Sequence, residues 1–164
     1  MKKLKMISLL LFLWLPVSVW ALEYPTLHYD KAILYDLTDD KVLYELKDKE
    51  KAHVASLTKI LTTITAIESI DNLDDMVTYT ENMKSLVRWD ASVAGLSVGD
   101  KVSYRDLLYA SILPSGADAT TALAISTSGS ISNFVKKMNE EASKIGMSNS
   151  HFVNVTGLDD DDHY

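Results

Sequence analysis

The chain has 164 residues, of which 47% are hydrophobic, and its 23 acidic and 16 basic side chains give a formal net charge of −7. This length and apolar content are typical of a globular domain with a buried core and exclude a largely disordered chain. The acidic balance argues against nucleic acid as a partner, because phosphate binding requires clustered Lys and Arg. The sequence has no cysteine, so a disulfide framework is excluded.

The first 21 residues have the pattern of a secretory signal peptide. Lysines at positions 2, 3 and 5 precede the apolar run 6–20. Val19 and Ala21 supply the small or slim side chains expected at positions −3 and −1 of a cleavage site after Ala21. A membrane-spanning helix is the alternative, but the run is shorter than the roughly 20 residues that a bilayer requires, and Pro16 interrupts it. We therefore expect an extracytoplasmic protein whose mature domain comprises residues 22–164.

A β-hairpin is predicted at the start of this domain. Residues 32–35 and 42–44 are rich in β-branched, aromatic and leucine side chains, and Asp39-Asp40 between them can form the turn. The charged stretch 47–51 then predicts a solvated loop.

A helix is predicted to begin at or near Ser56 and to end near Asp71-Asn72. Its apolar residues recur at the i, i+3, i+4, i+7 spacing, which predicts that they face the core. These residues are Leu57, Ile60, Leu61, Ile64 and Ile67.

Ser56 and Lys59 stand three positions apart at the start of this helix, so their side chains are expected on one face. A serine needs a neighbouring base to act as a nucleophile, and a lysine can serve only if burial or a nearby cation lowers its pKa. The amino-terminal end of the helix would also favour an oxyanion. However, on the order of one S-x-x-K is expected by chance in a chain of this size, so the motif needs support from its context.

The rest of the chain contains two predicted strands and three predicted helices. Strands are predicted at 76–79 and 152–153, and the segment 81–96 has no clear period and is predicted to be a loop. Three helices are predicted: 103–113 with Ser103 as N-cap, the alanine-rich 117–125, and an amphipathic helix over 131–145 that ends at Gly146. The last helix has a predicted solvent face of Lys136, Lys137, Glu140, Glu141 and Lys144.

No metal or other cofactor is predicted. The four histidines are scattered without the spacing of metal ligands. The acidic run Asp159 to Asp162 beside His163 is interpreted as a solvated segment, with a cation site as the less favoured alternative.

Separated stretches, in order along the chain, carry a family resemblance. They are residues 32–34 with 41–44, 55–59, 95–96 with 99–100, 106–109, 113–119, 138–140, 146–147, 151–158 and 163–164. Together they resemble the penicillin-recognising serine DD-peptidases, and within that family the low-molecular-mass D-alanyl-D-alanine carboxypeptidases. Ala55-Ser56-Leu57-Thr58-Lys59 looks like the first motif of the family.

The resemblance implies an α/β (α+β) fold in which an antiparallel sheet packs between helices, with the Ser56 helix at the centre. It implies removal of the terminal D-alanine from peptidoglycan stem peptides, and covalent inhibition by β-lactams. Ser56 would be the acylated nucleophile, Lys59 its base, and Ser115 a relay of protons toward the leaving group. The backbone N–H of Ser56 would form half of an oxyanion hole.

Two departures from the family pattern leave alternatives to an active DD-carboxypeptidase open. The second motif, S-x-N, has Ala117 where the family has asparagine, and the sequence ends at Tyr164 without the third motif, K-T-G. We therefore expect a C-terminally truncated, amino-terminal portion of the catalytic domain, and peripheral membrane association only through a region beyond it. The alternatives are a β-lactamase-like hydrolase and a catalytically inactive homologue.

Overall fold

Residues 28–164 are the part of the chain that the computed structural model describes, and they contain four strands, one 3₁₀ turn and five α-helices. The predicted signal peptide, residues 1–21, lies outside the described residues. The chain divides into two units, Met1–Asp48 and Lys49–Tyr164, and each is described by itself. Within residues 28–164, no helix combines the length and apolar character needed to cross a bilayer.

The first unit contains the predicted hairpin. Strand β1 (Ala32–Asp36) pairs antiparallel with β2 (Lys41–Leu46), with an irregularity in register between Leu34 and Tyr35. The turn forms because the Asp36 carboxylate accepts hydrogen bonds from the backbone N–H groups of Thr38 and Asp39, and Asp40 adopts a left-handed conformation with φ 52°. The hairpin prediction is confirmed.

The second unit contains two strands and five helices among the described residues. In chain order they are a 3₁₀ turn (Ala55–Leu57), α1 (Thr58–Ile67), β3 (Met76–Thr78), α2 (Glu81–Ser85), β4 (Lys101–Ser103), α3 (Tyr104–Ile112), α4 (Ala117–Ser128) and α5 (Ile131–Lys144). β3 and β4 form a two-stranded antiparallel ribbon separate from the hairpin. The mixed helix-and-strand class is confirmed.

Helix α4 lies at the centre of this unit. It packs against α1, α2, α3 and α5, and every residue from Ala117 to Ala124 is buried. Alanine side chains let neighbouring helices approach closely, and a helix that is buried on all sides needs no polar face. The alanine-rich prediction is therefore confirmed, although the helix continues to Ser128 before the left-handed Gly129 ends it.

Helix α1 buries a different face from the predicted one. Of the five apolar residues expected in the core, only Leu61 is buried, while Leu57, Ile60, Ile64 and Ile67 are 39–66% exposed. The buried face instead carries Thr58, Lys59, Thr62 and Thr65 together with Leu61 and Ala66. Two of these threonines satisfy their hydroxyls inside the core, since Thr58 lies 2.7 Å from His163 Nε2 and Thr62 donates to the Val155 carbonyl at 2.9 Å. The buried hydroxyl of Thr65 has no hydrogen-bond partner among the described residues.

The predicted elements differ from the structure in four further places. Helix α1 ends at Ile67 rather than near Asp71-Asn72. Residues 81–85 form a short helix inside the predicted loop, because the Thr80 side chain caps it by accepting from Met83 N–H. Strand β4 was not predicted, and the strand predicted at 152–153 is absent because the Asn139 side chain takes both backbone groups of Phe152.

The predictions for α3 and α5 are confirmed with one exception. Ser103 caps α3 by accepting from Asp106 N–H, and Gly146 follows α5 with φ 85°. Glu141, predicted on the solvent face of α5, is buried. Lys144, 2.6 Å from the Glu141 carboxylate, makes that burial tolerable and lowers the pKa of Glu141.

Candidate active site

Ser56 and Lys59 meet at the beginning of α1. Ser56 lies in the 3₁₀ turn Ala55–Leu57 and is exposed, whereas Lys59 is in the first turn of α1 and only 4% exposed. The Lys59 Nζ atom lies 3.1 Å from Ser56 Oγ. The spacing of three positions thus brings an accessible hydroxyl into hydrogen-bond contact with a buried amine.

The environment of Lys59 favours the neutral amine. Burial lowers its pKa from the ordinary value, because the ammonium form loses its hydration. The Nζ atom donates to the backbone carbonyl of Thr156 at 2.8 Å. With that bond retained, a neutral amine has its lone pair free to accept the Ser56 proton.

Ser115 approaches the same hydroxyl from the loop between α3 and α4. Its Oγ donates to Ser56 Oγ at 2.9 Å, across 59 positions of sequence. Ser115 has φ 59°, a left-handed conformation that costs a non-glycine residue on the order of 1–2 kcal/mol. Such strain is concentrated at functional sites, where the surrounding structure holds the residue in place. All three residues singled out in the sequence are therefore in one cluster.

A cavity of about 320 Å³ opens beside the cluster. Its lining residues are Ala55, Ser56, Lys59, Arg88, Asp90, Ala91, Ser92, Thr156, Gly157, Leu158 and Asp159. Arg88 is held there by an ion pair with Asp90, at 2.7 Å. Ser56 thus lies at a cavity wall, where a ligand can reach its hydroxyl.

Asp118 anchors residues 94–96, which follow the cavity-lining residues 90–92 in the chain. Its carboxylate accepts hydrogen bonds from the backbone N–H groups of Ala94, Gly95 and Leu96 at 2.8–2.9 Å, and from that of Ala119 in its own helix. Asp118 is 3% exposed, so these bonds replace the water that the carboxylate loses. The sequence reasoning did not single out this residue, although an acidic side chain at the start of a helix was a signal.

Replacing Asp118 by asparagine is expected to lower the free energy of unfolding by about 3 kcal/mol, because one oxygen becomes an NH₂ donor facing N–H donors. Urea unfolding monitored by circular dichroism measures this change. Asp100→Asn is the matched control, since the exposed Asp100 carboxylate caps one backbone group, the N–H of Ser97. A loss for Asp118→Asn no greater than that for Asp100→Asn would contradict the anchoring role.

Two contacts of α1 were missed in the sequence because the partners lie about 100 positions away along the chain. The Thr156 carbonyl reaches Lys59, and His163, buried to 2% exposure, lies 2.7 Å from the Thr58 hydroxyl. Ala117 is fully buried, and its N–H donates to Ser92. Among residues 28–164 there is no group of three or more acidic or histidine side chains arranged to hold a metal ion.

The sequence matches the profile of a family described as D-alanyl-D-alanine carboxypeptidase, peptidase S11, over residues 19–164. It is 35% identical over 137 residues to D-alanyl-D-alanine carboxypeptidase DacF of Bacillus subtilis, covering 81% of this chain and 34% of that protein. It is 37% identical over 162 residues to DacC of Escherichia coli, covering 93% of this chain and 40% of that protein. The chain thus spans less than half the length of these curated relatives.

Solved structures of penicillin-binding proteins have a similar fold. Penicillin binding protein 5 from Haemophilus influenzae superposes with a TM-score of 0.79 at 31% identity, over 88% of this chain and 43% of that one. A mutant of the Streptomyces K15 DD-transpeptidase superposes with a TM-score of 0.81 at 32% identity, over 86% of this chain and 57% of that one. This chain therefore shares its architecture with about half of the length of each of these two proteins.

Proposed function

We propose that this chain, which belongs to the D-alanyl-D-alanine carboxypeptidase family (peptidase S11), carries the acylation centre of a serine DD-carboxypeptidase. The proposed substrates are peptidoglycan stem peptides. The observation that carries the proposal is the contact between exposed Ser56 Oγ and buried Lys59 Nζ at 3.1 Å. The names of the relatives favour a peptidase over a β-lactamase-like hydrolase.

Acylation begins with neutral Lys59. Its amine takes the proton of Ser56 while Oγ bonds to the carbonyl carbon of the penultimate D-alanine. The backbone N–H of Ser56, at the start of the helical segment, is one donor for the resulting oxyanion. The Thr156 carbonyl, 2.8 Å from Nζ, keeps the amine directed at the serine.

Collapse of the tetrahedral intermediate breaks the C–N bond to the terminal D-alanine. The leaving amine needs a proton, and Ser115 Oγ, 2.9 Å from Ser56 Oγ, is placed to relay it from Lys59. Water then hydrolyses the ester, with the same groups returning the proton to Ser56. A β-lactam would acylate Ser56 in the same way, but its leaving nitrogen stays attached, so the adduct keeps the whole mass of the drug.

Substrate and location follow from this assignment. The substrate is the D-alanyl-D-alanine end of a stem peptide, and β-lactams are covalent inhibitors. Peptidoglycan lies outside the cytoplasmic membrane, so the active domain is extracytoplasmic, in agreement with the signal-peptide pattern of residues 1–21. Residues 22–164 form the amino-terminal part of the catalytic domain.

Intact-mass analysis after incubation with a labelled penicillin tests the proposal. The wild-type chain is expected to gain the full mass of the drug, and Ser56→Ala is expected to gain none. Ser148→Ala, which removes another exposed serine hydroxyl, is the matched control and should label like the wild type. A chain that circular dichroism shows to be folded and that forms no adduct would contradict the proposal.

A catalytically inactive homologue is the second candidate, and Ala117 favours it. The family has asparagine at this position, and here a fully buried methyl group stands in its place, with no amide for a substrate or for Lys59. The same mass measurement separates the two candidates, because an inactive scaffold keeps its fold and forms no adduct.

A further inference from the structure

His163 joins two parts of the site that are far apart in sequence. Its Nε2 lies 2.7 Å from the hydroxyl of Thr58, the first residue of α1, across 105 positions. Its Nδ1 lies 3.2 Å from the backbone N–H of Val153. Both side chains of the contact are buried, with His163 2% and Thr58 1% exposed. The imidazole therefore connects the segment 151–164 directly to the helix that carries Lys59.

The hydrogen bonds assign one tautomer. The N–H of Val153 can only donate, so Nδ1 must be the unprotonated acceptor, and the proton of a neutral imidazole then resides on Nε2. Nε2–H donates to the Thr58 hydroxyl. Phe152 packs edge-on against the ring, with centroids 5.4 Å apart, and excludes water from it. A protonated ring would place a second N–H against that of Val153.

The segment fixed by His163 also carries the carbonyl that holds Lys59. Thr156 lies between Val153 and His163 in sequence, and its oxygen accepts from Lys59 Nζ at 2.8 Å. The Asn154 side chain makes this part of the segment rigid, since its Oδ1 accepts from the N–H groups of Thr156 and Gly157 at 3.1 and 2.7 Å. A shift of the segment relative to α1 would therefore move the Thr156 carbonyl away from the amine.

We propose that His163 is a positioning residue: through its bond to Thr58 it holds the Thr156 carbonyl against Lys59, and so directs the amine at Ser56. The proposal rests on the proposed function for its effect on rate, whereas the positioning itself is a property of the fold. The His163 ring bonds to Thr58 and Val153 rather than to Ser56, so it acts through Thr58 and the segment 153–163.

The positioning depends on pH. Burial lowers the pKa of His163 from its ordinary value, with His151 and His53 adding to that effect and Asp160 and Asp159 opposing it. The folded state therefore holds the ring neutral, and the bond pattern is complete at and above neutral pH. As the pH drops, the unfolded chain binds the His163 proton first, near the ordinary histidine pKa of 6.5. The free energy of unfolding therefore decreases below pH 6.5, and the decrease is complete once the pH is below the lowered pKa of the folded state.

An NMR titration of the full chain, with labelled lysine and histidine, tests the positioning without any activity measurement. The Lys59 signal, identified by its absence in Lys59→Arg, is expected to shift over the pH range in which His163 becomes protonated. In His163→Gln, which keeps a donor for Thr58 but does not titrate, that shift should be absent. His151→Gln, which removes an exposed histidine of the same segment, should retain it. A Lys59 signal that stays constant while His163 titrates would overturn the proposal.

The acylation rate with a fluorescent penicillin gives the second readout. Thr58→Val, which keeps the volume and removes the hydroxyl, is expected to lower the rate by roughly tenfold or more, because small displacements of reacting groups are costly. Thr58→Ser, which retains the hydroxyl, should recover most of that loss, and an equal loss in both variants would overturn the positioning role. If no variant forms an adduct, the proposed function fails, and the NMR titration alone decides the role of His163.

Discussion

Replacing Lys59 by methionine is expected to slow acylation by a labelled penicillin by about 10³–10⁴-fold, because the reaction loses its general base. Methionine fills a similar volume without an amine, and it suits the position because the Lys59 side chain is buried, at 4% exposure. A buried ammonium carries a desolvation cost, so the free energy of unfolding should stay unchanged or increase. Activity would fall while the fold is retained.

The pH dependence gives a sharper form of the same prediction. Burial lowers the pKa of Lys59 from the ordinary value of 10.5, and only the neutral amine accepts the Ser56 proton. The acylation rate is therefore expected to rise with pH through this lowered pKa and to level off at a lower pH than an ordinary lysine would give. Stopped-flow fluorescence with a fluorescent penicillin measures the profile.

Two variants complete the Lys59 experiment. Lys59→Arg keeps the positive charge but cannot release a proton near neutral pH, so it should be as slow as Lys59→Met. Lys136→Met removes an exposed lysine and should acylate at the wild-type rate. An arginine variant that acylates normally would rule out Lys59 as the base.

Replacing Gly157 by alanine is expected to disrupt the site by a steric route. A Cβ at this position would lie 1.8 Å from the carbonyl oxygen of Ala55 and 2.9 Å from the Thr58 hydroxyl, and the backbone has φ 82°. Both the clash and the left-handed conformation disfavour alanine. The chain must move the segment that carries Thr156 away from Ser56, so we expect a loss of about 4 kcal/mol in the free energy of unfolding and no detectable penicillin adduct.

Gly146→Ala separates the two costs of the Gly157 substitution. Gly146 has nearly the same conformation, with φ 85°, but a Cβ there meets nothing within 4 Å. This control should lose about 1–2 kcal/mol from conformational strain alone and should still form the adduct. Urea unfolding and intact mass measure both variants. If the two glycine variants were equally stable, close contact between Gly157 and Ala55 would not be the reason for the glycine.

Local spacing predicted the part of the site that a single helical turn creates. Ser56 and Lys59 are three positions apart, and any helical start places them side by side. Ser115 and Thr156 are 59 positions from Ser56 and 97 positions from Lys59, respectively. No local pattern encodes such contacts, and Ser115 entered the prediction only through the family resemblance. The Thr156 carbonyl was missed because a backbone group has no signature in the sequence.

The helix that carries Ser56 shows where pattern reasoning failed. The rule that apolar residues face the core selected Ile60, Ile64 and Ile67, and all three are exposed in the described residues. The rule treats threonine as neutral, yet Thr62 is fully buried, with its hydroxyl 2.9 Å from the Val155 carbonyl. Which face of such a helix is buried depends on partners elsewhere in the chain, and these are not visible in a window of ten residues.

The buried threonines of α1 have a further consequence for the tolerance of the site to change. Apolar contacts are non-directional, so a helix held by them slides or rotates slightly when a neighbour is replaced. The Thr58 hydroxyl instead lies 2.7 Å from His163 Nε2, and the Thr62 hydroxyl donates to the Val155 carbonyl at 2.9 Å. The half-buried Thr63 adds a contact of 3.0 Å with Ser111 Oγ. These bonds fix both the rotation and the axial position of α1. Substitutions among the surrounding apolar residues are therefore expected to displace Ser56 less than substitution of Thr58 or Thr62.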